Sequence, residues 1–253
     1  MPSVLHEVTT PFRKATFGMG CFWAGDALFG AQPGVLRTRV GYSGGTTMDP
    51  VYKKIQLEKE KSQTSGQSTP SNLQSNDKSG TSTEKAVDFR GDHTEVVEID
   101  YDPKVISYED LLELFWNNHE YGLTNITKRQ YMSLILYHNE DQKRIAEISM
   151  KKEAHKRNEK LSTEIAPAGP FYPAEDYHQK YRLQEHSWLC EELGLTPALL
   201  QSSHVAARLN GYIVGVGKQE DFEKDVVTLG LSEKMAKYVR SHLLENEGGN
   251  LYC

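Results

Sequence analysis

A cysteine followed directly by two aromatic residues is the part of this sequence best suited to chemistry: Gly20-Cys21-Phe22-Trp23. Residues 14–18 alternate like a half-buried strand, and residues 22–29 are apolar enough to predict a short helix. Cys21 then falls near the helix N-terminus, where unpaired N–H groups and the macrodipole favour a thiolate and lower the thiol pKa. The two rings would line an apolar pocket beside a nucleophilic sulfur. The alternative is an inert cysteine packed between aromatic residues.

Glu95 is the candidate general acid. It lies in a predicted strand, Thr94–Tyr101, whose alternation places it on the same face as Val97 and Ile99. Burial among apolar neighbours raises the pKa of a carboxyl group and keeps it protonated, which a general acid needs. The alternative is a carboxylate at a strand end that points to water or pairs with a basic residue.

Two further segments are rich in polar groups or glycine. The segment 171–181, Phe-Tyr-Pro-Ala-Glu-Asp-Tyr-His-Gln-Lys-Tyr, contains His178, which we expect to satisfy a structural hydrogen bond. No second ligand lies at helical spacing from His178, so we predict no metal site there. Gly41-Tyr42-Ser43-Gly44-Gly45 lacks the Gly-Lys-Ser/Thr ending of a phosphate loop and is better interpreted as a glycine-rich turn.

The other two cysteines differ in setting. Cys253 is the last residue, on a tail that contains Gly248-Gly249. A thiol on a flexible tether reaches other parts of its own protein at high effective concentration, so Cys253 is a candidate to resolve an oxidised Cys21. It is otherwise an incidental exposed thiol. Cys190 lies within a predicted helix and is most simply a packed residue.

Composition narrows the functional classes. The chain has 253 residues, of which 38% are hydrophobic and 25% charged, and a formal net charge of −6. The mixed charge gives no electrostatic reason to expect nucleic acid or an anionic membrane as partner. No apolar run is long enough to span a membrane, and the N-terminus shows no signal or transit peptide. Three scattered cysteines are too few for a disulfide framework or a structural zinc site. This number fits a reducing compartment, so we expect a cytoplasmic protein.

The elements that must position these residues predict an α+β core. Strands are predicted at 14–18, 35–41, 94–101 and 131–138, and helices at 107 onward, 140–160, 174 onward, 196–211 and 232–245. Strands and helices interleave irregularly, unlike in a doubly wound sheet. Residues 53–86 are almost devoid of apolar side chains and predict a disordered insertion within a single domain, 1–253. The C-terminal third, 182–253, is expected to be a peripheral helical extension with a flexible tail.

Taken together, the sequence resembles the peptide methionine-S-sulfoxide reductases of type A. The resemblance runs from residue 14 to residue 181 apart from the insertion, and the C-terminal tail is similar to that of insect members. It is carried by these motifs, in the order of the family: Gly18-Met19-Gly20-Cys21-Phe22-Trp23, Val40-Gly41-Tyr42-Ser43-Gly44-Gly45, Gly91-Asp92-His93-Thr94-Glu95-Val96-Val97, Tyr101-Asp102-Pro103, Phe115-Trp116, Gln130-Tyr131 and the segment 171–181.

The resemblance implies a mixed-sheet sandwich with a ferredoxin-like core and the helical extension 182–253. It implies that Cys21 attacks the sulfoxide sulfur, that Glu95 protonates the oxygen, and that Phe22 and Trp23 hold the methyl group. The remaining family positions are substrate-binding tyrosines, Tyr52 and Tyr131, and the resolving cysteine, Cys253. No bound cofactor is implied. Thioredoxin, or a dithiol in vitro, would be the reductant, and oxidised proteins or methionine sulfoxide the substrate of a protein expected to be monomeric.

One departure from the family stands beside the active residues. Many members read Asp-His-Gly-Thr-Gln-Tyr where this chain reads Ile126-Thr127-Lys128-Arg129-Gln130-Tyr131. An acidic residue that helps to bind substrate is therefore replaced by Ile126, and the polar network around the sulfoxide oxygen must differ.

Other activities remain to be distinguished. A thiol peroxidase also forms a sulfenic acid, but it has no use for a methyl pocket beside Cys21. A zinc-containing reductase of the opposite epimer would need paired Cys-x-x-Cys ligands. A redox-sensing interaction module would form a Cys21–Cys253 disulfide without turnover.

Overall fold

One mixed sheet organises the computed structural model, which describes residues 4–52, 92–120 and 122–248. Its strands are β1 (Arg13–Met19), β2 (Val35–Ser43), β3 (Thr94–Tyr101), β4 (Ser133–Tyr137), β5 (Glu164–Pro167) and β6 (Tyr172–Pro173). They lie in the order β5-β4-β1-β3-β2-β6. All neighbours are antiparallel except β4 and β5, which are parallel.

The centre of this sheet has the ferredoxin-like topology. Helix α1 (Phe22–Gly30) joins β1 to β2, and helix α2 (Tyr108–Asn117) lies between β3 and β4. The chain order β-α-β-β-α-β with the spatial strand order 4-1-3-2 is that of the split βαβ fold. The α+β class and the ferredoxin-like core predicted above are therefore confirmed.

The remaining helices follow β4. They are α3 (Glu140–Arg157), α4 (Tyr181–Gln184), α5 (Ser187–Glu192), α6 (Pro197–Ser202), α7 (His204–Tyr212), α8 (Gln219–Thr228) and α9 (Glu233–Glu245). Two 3₁₀ turns, Arg129–Tyr131 and Asp176–His178, precede β4 and α4. Among the helices of the described ranges none is long and apolar enough to cross a membrane.

Several boundaries differ from those that the sequence predicted. The helix expected from Ala174 is a 3₁₀ turn followed by α4 and α5, because Lys180 adopts a left-handed conformation at φ 51° that no helix accommodates. The helix expected over 196–211 is broken at Ser203, whose side chain accepts the N–H of Ala206 and starts α7 anew. The strand expected from Tyr131 begins at Ser133 because Tyr131 ends a 3₁₀ turn. Strands β5 and β6 and helix α8 were not predicted.

The C-terminal helices are not peripheral, contrary to the expectation from sequence. Residues of α7, α8 and α9 belong to the same buried apolar cluster as Ala15 and Phe17 of β1. Helix α7 lies directly on α1 through two glycines: a Cβ on Gly211 would overlap the Ala27 carbonyl oxygen, and one on Gly30 would overlap that of Ala207. The helices approach this closely because neither position carries a side chain. The extension therefore supports the helix that begins after Cys21.

The two chain segments on either side of residues 53–91 meet at the end of the β2–β3 hairpin. Ser43 lies opposite Thr94, and the Asp92 carboxylate accepts hydrogen bonds from the N–H and hydroxyl groups of Thr46 and Thr47. Burial raises the pKa of Asp92, but these hydrogen bonds together outweigh it and hold the pKa well below its usual range. The predicted insertion 53–86 itself and the predicted flexible end of the tail at Cys253 lie outside the described residues.

Candidate active site

Cys21 occupies the position that the sequence predicted, at the N-terminus of α1. It is the N-cap residue, with extended backbone angles, and Gly20 before it has φ 86°. Such a φ is rarely adopted by residues with a side chain, so glycine permits the turn from β1 into α1. Cys21 is half-buried and disulfide-bonded, whereas Cys190 is a free thiol.

Glu95 lies beside the same helix N-terminus. Its Oε2 atom accepts a hydrogen bond of 3.2 Å from the backbone N–H of Phe22, the residue after Cys21. Its Oε1 atom accepts a hydrogen bond of 2.5 Å from Nε2 of Gln130. The residue is 2% exposed, so of the two alternatives left open by the sequence the structure shows the buried carboxyl group. A buried carboxyl group next to a cysteine at a helix N-terminus can deliver a proton to a group bound at the sulfur.

An aromatic cluster, which we call the pocket, includes the first two residues of α1. Phe22 and Tyr42 pack together with half-buried Trp23 and Tyr52. The Trp23 indole stacks on the Tyr181 ring, with centroids 3.7 Å apart and planes only 4° from parallel. The structure therefore brings three of the four predicted substrate-binding residues, Phe22, Trp23 and Tyr52, into one apolar cluster.

Glu175 accepts hydrogen bonds from two tyrosines of this pocket. Tyr42 donates its hydroxyl to Oε2 of Glu175 at 3.0 Å, and the backbone N–H of Tyr52 donates to Oε1 at 2.9 Å. Burial, followed by the charge of Glu175, raises the pKa of Tyr42 far above its usual range. Tyr42 is therefore a neutral hydrogen-bond donor at any physiological pH.

Tyr131, the fourth predicted substrate-binding residue, lies in a 3₁₀ turn next to Gln130. The preceding Arg129 fixes this turn by donating to the carbonyl oxygens of Gly44 at 2.8 Å and Asp92 at 3.2 Å. Tyr131 thereby follows directly the residue that binds Glu95. Ile126 is 96% exposed and contributes no buried charge to the pocket.

A buried ion pair holds α1 against the sheet. The Lys180 ammonium lies 3.0 Å from Oδ1 of Asp26 on α1 and donates to the Thr38 carbonyl oxygen on β2 at 2.6 Å. Asp26 also accepts the hydroxyl of Thr38 and the backbone N–H of Lys180. Burial lowers the pKa of Lys180, and the charge of Asp26 opposes this shift. The pair fixes the helix that carries Phe22 and Trp23 relative to the segment that carries His178.

Sequence reasoning did not identify Gln130, Glu175 or Tyr181 as parts of this site. His178 was expected to satisfy a structural hydrogen bond, and its Nδ1 atom indeed accepts one of 3.2 Å from the Trp23 indole. In the described ranges no group of three or more potential metal ligands comes together. Cys253, predicted as the resolving cysteine, lies outside those ranges. Cys190 lies in α5, donates to the Leu183 carbonyl oxygen, and has a pKa raised by burial.

Two family models match this chain. The model described as peptide methionine sulfoxide reductase matches residues 13–65 and 67–206. The model described as the helical domain of selenoprotein methionine sulfoxide reductase A matches residues 194–243, which contain α6 to α9 apart from the last residues of α9. The first match covers both Cys21 and Glu95.

Individual relatives agree with these models. A peptide methionine sulfoxide reductase of Drosophila melanogaster is 48% identical over 99% of this chain and 88% of its own length. The peptide methionine sulfoxide reductase MsrA of Methanococcus maripaludis strain C6 is 37% identical over 70% of this chain and 96% of its own.

Solved structures extend the comparison to the fold. Methionine sulfoxide reductase A of Corynebacterium diphtheriae superposes with a TM-score of 0.51 at 26% identity, over 73% of this chain and 82% of its own. Mxr1 of Saccharomyces cerevisiae in its reduced form shares the fold, with a TM-score of 0.50 at 20% identity, over 72% of this chain and 90% of its own. The chain belongs to the peptide methionine sulfoxide reductase family, type A, a family of oxidoreductases that act on methionine sulfoxide.

Proposed function

We propose that this protein reduces the S epimer of methionine sulfoxide, in oxidised proteins and as the free amino acid, with Cys21 as nucleophile. The observation that carries the proposal is the hydrogen bond between Glu95 and the backbone N–H of Phe22, which places a buried carboxyl group beside Cys21. The aromatic cluster next to it supplies an apolar slot for a methyl group. A peroxidase, whose substrate has no methyl group, would gain nothing from that slot.

The chemical step transfers oxygen from one sulfur to another. The Cys21 thiolate attacks the sulfoxide sulfur while Glu95 gives its proton to the sulfoxide oxygen. The oxygen then leaves the substrate sulfur and becomes bonded to Cys21, which is oxidised to a sulfenic acid as methionine is released. Phe22 and Trp23 would hold the substrate methyl group, and the hydroxyls of Tyr52 and Tyr131 would bind the sulfoxide oxygen. Low local dielectric strengthens these polar contacts.

The second half of the cycle uses the Cys253 thiol and the two thiols of an external reductant. We assign the resolving role to Cys253, whose thiol attacks the Cys21 sulfenic acid, releases water and forms a disulfide. The oxidised state of Cys21 and the free thiol of Cys190 support this assignment. Thioredoxin, or a small dithiol, would then reduce the disulfide by two successive exchanges and would itself be oxidised.

The deciding experiment follows reduction of N-acetyl-methionine-S-sulfoxide by the wild type and by Cys21→Ser, Cys253→Ser and Cys190→Ser. Each variant is supplied either with thioredoxin and its reductase or with dithiothreitol. The proposed roles predict that Cys21→Ser loses turnover with both reductants. Cys253→Ser should lose turnover with thioredoxin but not with dithiothreitol, and Cys190→Ser should turn over like the wild type. Absence of turnover by the wild type with both reductants would refute the proposed reaction.

The epimer is tested on the same preparation. The R epimer, supplied under identical conditions, should leave no methionine above the enzyme-free control. Equal turnover of both epimers would contradict a pocket that fixes the methyl group and the oxygen on opposite sides of the sulfur.

A further inference from the structure

The His178 imidazole lies among four aromatic rings of the pocket. Its centroid is 5.1 Å from that of Phe22, 5.7 Å from Trp23, 4.8 Å from Tyr52 and 4.1 Å from Tyr177. Phe22, Trp23 and Tyr52 are proposed substrate-binding residues contributed by two separate segments of the chain. A single buried ring thus contacts both sides of the pocket.

The hydrogen bond with Trp23 determines the tautomer of His178. The indole N–H can only donate, so Nδ1 of His178 must accept and carries no proton. Burial lowers the pKa of His178 more than the charge of Glu175 raises it, which favours the neutral ring. The proton of the neutral imidazole is then on Nε2, an atom that is buried and has no hydrogen-bond partner among the described residues.

The Glu175 carboxylate lies close to Nε2. Its Oε2 atom is 3.9 Å from Nε2 of His178, which is beyond a hydrogen bond. The other oxygen of the same carboxylate accepts the backbone N–H of Tyr52 at 2.9 Å. Glu175 therefore fixes the Tyr52 segment, and His178 fixes the Trp23 indole, through groups that lie next to each other.

We infer that Glu175 and His178 are positioning residues that set the width of the substrate slot between Trp23 and Tyr52, and so select a methyl sulfoxide over sulfoxides with larger alkyl groups. The inference rests on the proposed function and extends it to substrate selection. Neither residue touches the reacting atoms. Their effect acts through the ring of Trp23 and the backbone of Tyr52.

The Trp23 indole is restrained in two independent ways. Stacking on Tyr181 sets the plane of the ring, but a stacked pair can still slide within that plane. The hydrogen bond from Nε1 to His178 removes this freedom because it fixes one edge of the indole. Without this acceptor, the part-buried indole N–H would lose its partner, and the ring would move toward solvent and widen the slot.

The test compares kcat/KM for the S-sulfoxides of N-acetyl-methionine and N-acetyl-ethionine. His178→Phe keeps the ring packing but removes the acceptor for the indole. We expect the methyl-to-ethyl ratio of kcat/KM to fall about tenfold, the kinetic equivalent of one lost hydrogen bond, mainly through a higher KM for the methyl substrate. His178→Gln, whose amide oxygen can accept the indole N–H, should restore most of the ratio.

Two further variants complete the design. Glu175→Ala should lower the ratio from the Tyr52 side, and it provides the test if His178→Phe does not fold. His186→Phe is the matched control, since His186 bonds the Tyr238 hydroxyl within the helical extension. It should leave the ratio unchanged.

The outcomes separate the two proposals. An unchanged ratio in both His178→Phe and Glu175→Ala, with an active wild type, would overturn the inference and leave the proposed function standing. A fall in the ratio that His178→Gln fails to restore would also overturn it, because a packing effect would then explain the loss. A wild type that reduces neither sulfoxide would instead refute the proposed function.

Discussion

Oε2 of Glu95 accepts the backbone N–H of Phe22 at a distance of 3.2 Å, which ties strand β3 to the first residue of helix α1. Because Phe22 is the residue directly after Cys21, this hydrogen bond holds the Glu95 carboxyl group one peptide unit away from Cys21. The second oxygen is fixed by Gln130 from the turn before β4. Three segments that are distant in sequence thereby hold one carboxyl group in place, as proton transfer to a bound sulfoxide requires.

Replacement of Glu95 by glutamine should remove the proposed proton donor while keeping the size of the side chain. We expect the single-turnover rate constant for methionine formation to fall by about 10²–10⁴-fold, the usual contribution of a positioned general acid. The measurement is a single-turnover assay without reductant, which isolates the step that forms the sulfenic acid from the steps that reduce it.

Glu98→Gln is the matched control for this substitution. Glu98 lies on the same strand, is also buried, and pairs with Lys14 at 2.9 Å on the opposite face of the sheet. It should alter stability but not the single-turnover rate. Equal losses of rate in Glu95→Gln and Glu98→Gln would assign the effect to the strand and not to proton transfer.

Local sequence signals were sufficient for the parts of the site that a single element positions. The alternation of residues 94–101 predicted β3 with the bounds that the structure has, and it gave the burial of Glu95 as one of two alternatives. The helix predicted from residue 107 onward is α2, whose N-cap is Ser107, and both halves of a capping box with Asp110 are present there. Cys21 at the N-terminus of α1 followed from the change of hydrophobic period at Gly20.

The contacts between distant segments could not be predicted in this way. Gln130 and Glu95 are 35 positions apart, and Trp23 and His178 are 155 apart, with no local pattern that relates either pair. The helix predicted from Ala174 was wrong because a tertiary contact prevailed: Lys180 takes a left-handed backbone while its side chain is buried on Asp26. A non-glycine residue in that conformation gives no signal in the sequence.

Removal of only one partner of the buried Asp26–Lys180 pair should strongly destabilise the protein. Lys180→Met leaves the Asp26 carboxylate buried without its cation, and we expect a loss of about 3–5 kcal/mol in the free energy of unfolding. The double variant Asp26→Asn/Lys180→Met removes both charges and should recover part of that loss. Urea denaturation followed by circular dichroism measures both values.

An exposed pair is the control for this prediction. Lys224 lies 3.2 Å from Asp221, but its side chain is 74% exposed. Lys224→Met should therefore change stability by no more than about 0.5 kcal/mol. A comparable loss at both lysines would show that burial does not set the cost of removing the cation.

His119 should make the protein less stable in mild acid. Burial lowers its pKa from 6.5 to about 4 in the folded state, while Nδ1 bonds the Phe115 carbonyl oxygen and Nε2 bonds the Ser133 hydroxyl. As the pH falls, His119 of the unfolded chain is therefore protonated near pH 6.5, whereas His119 of the folded chain is protonated only near pH 4. The free energy of unfolding must therefore decrease by about 3 kcal/mol in total as the pH falls through this window. Below the window His119 is protonated in both states and causes no further decrease.

The measurement is the free energy of unfolding in urea at intervals from pH 7 to pH 4, for the wild type and for His119→Gln. Other histidines also have lowered pKa values, among them His138 and His204, so the difference between the two curves is the relevant quantity. The variant should be less stable at pH 7 and show a shallower slope. Parallel curves would show that His119 does not carry the expected dependence.

The contact between α1 and α7 should make Gly211 intolerant of even a methyl group. A Cβ at Gly211 would overlap the Ala27 carbonyl oxygen and lie 2.5 Å from Cβ of Ala31, so the two helices would have to move apart. We expect Gly211→Ala to lower the free energy of unfolding by about 1–3 kcal/mol, as overpacking of a close contact does, despite the higher helix propensity of alanine. Gly169→Ala is the matched control, because a Cβ there meets nothing within 4 Å.

If α7 supports the helix that begins after Cys21, Gly211→Ala should also raise KM for the sulfoxide, since any shift of α1 moves Phe22 and Trp23 together. A destabilised variant with unchanged kinetics would limit the extension to a purely stabilising role.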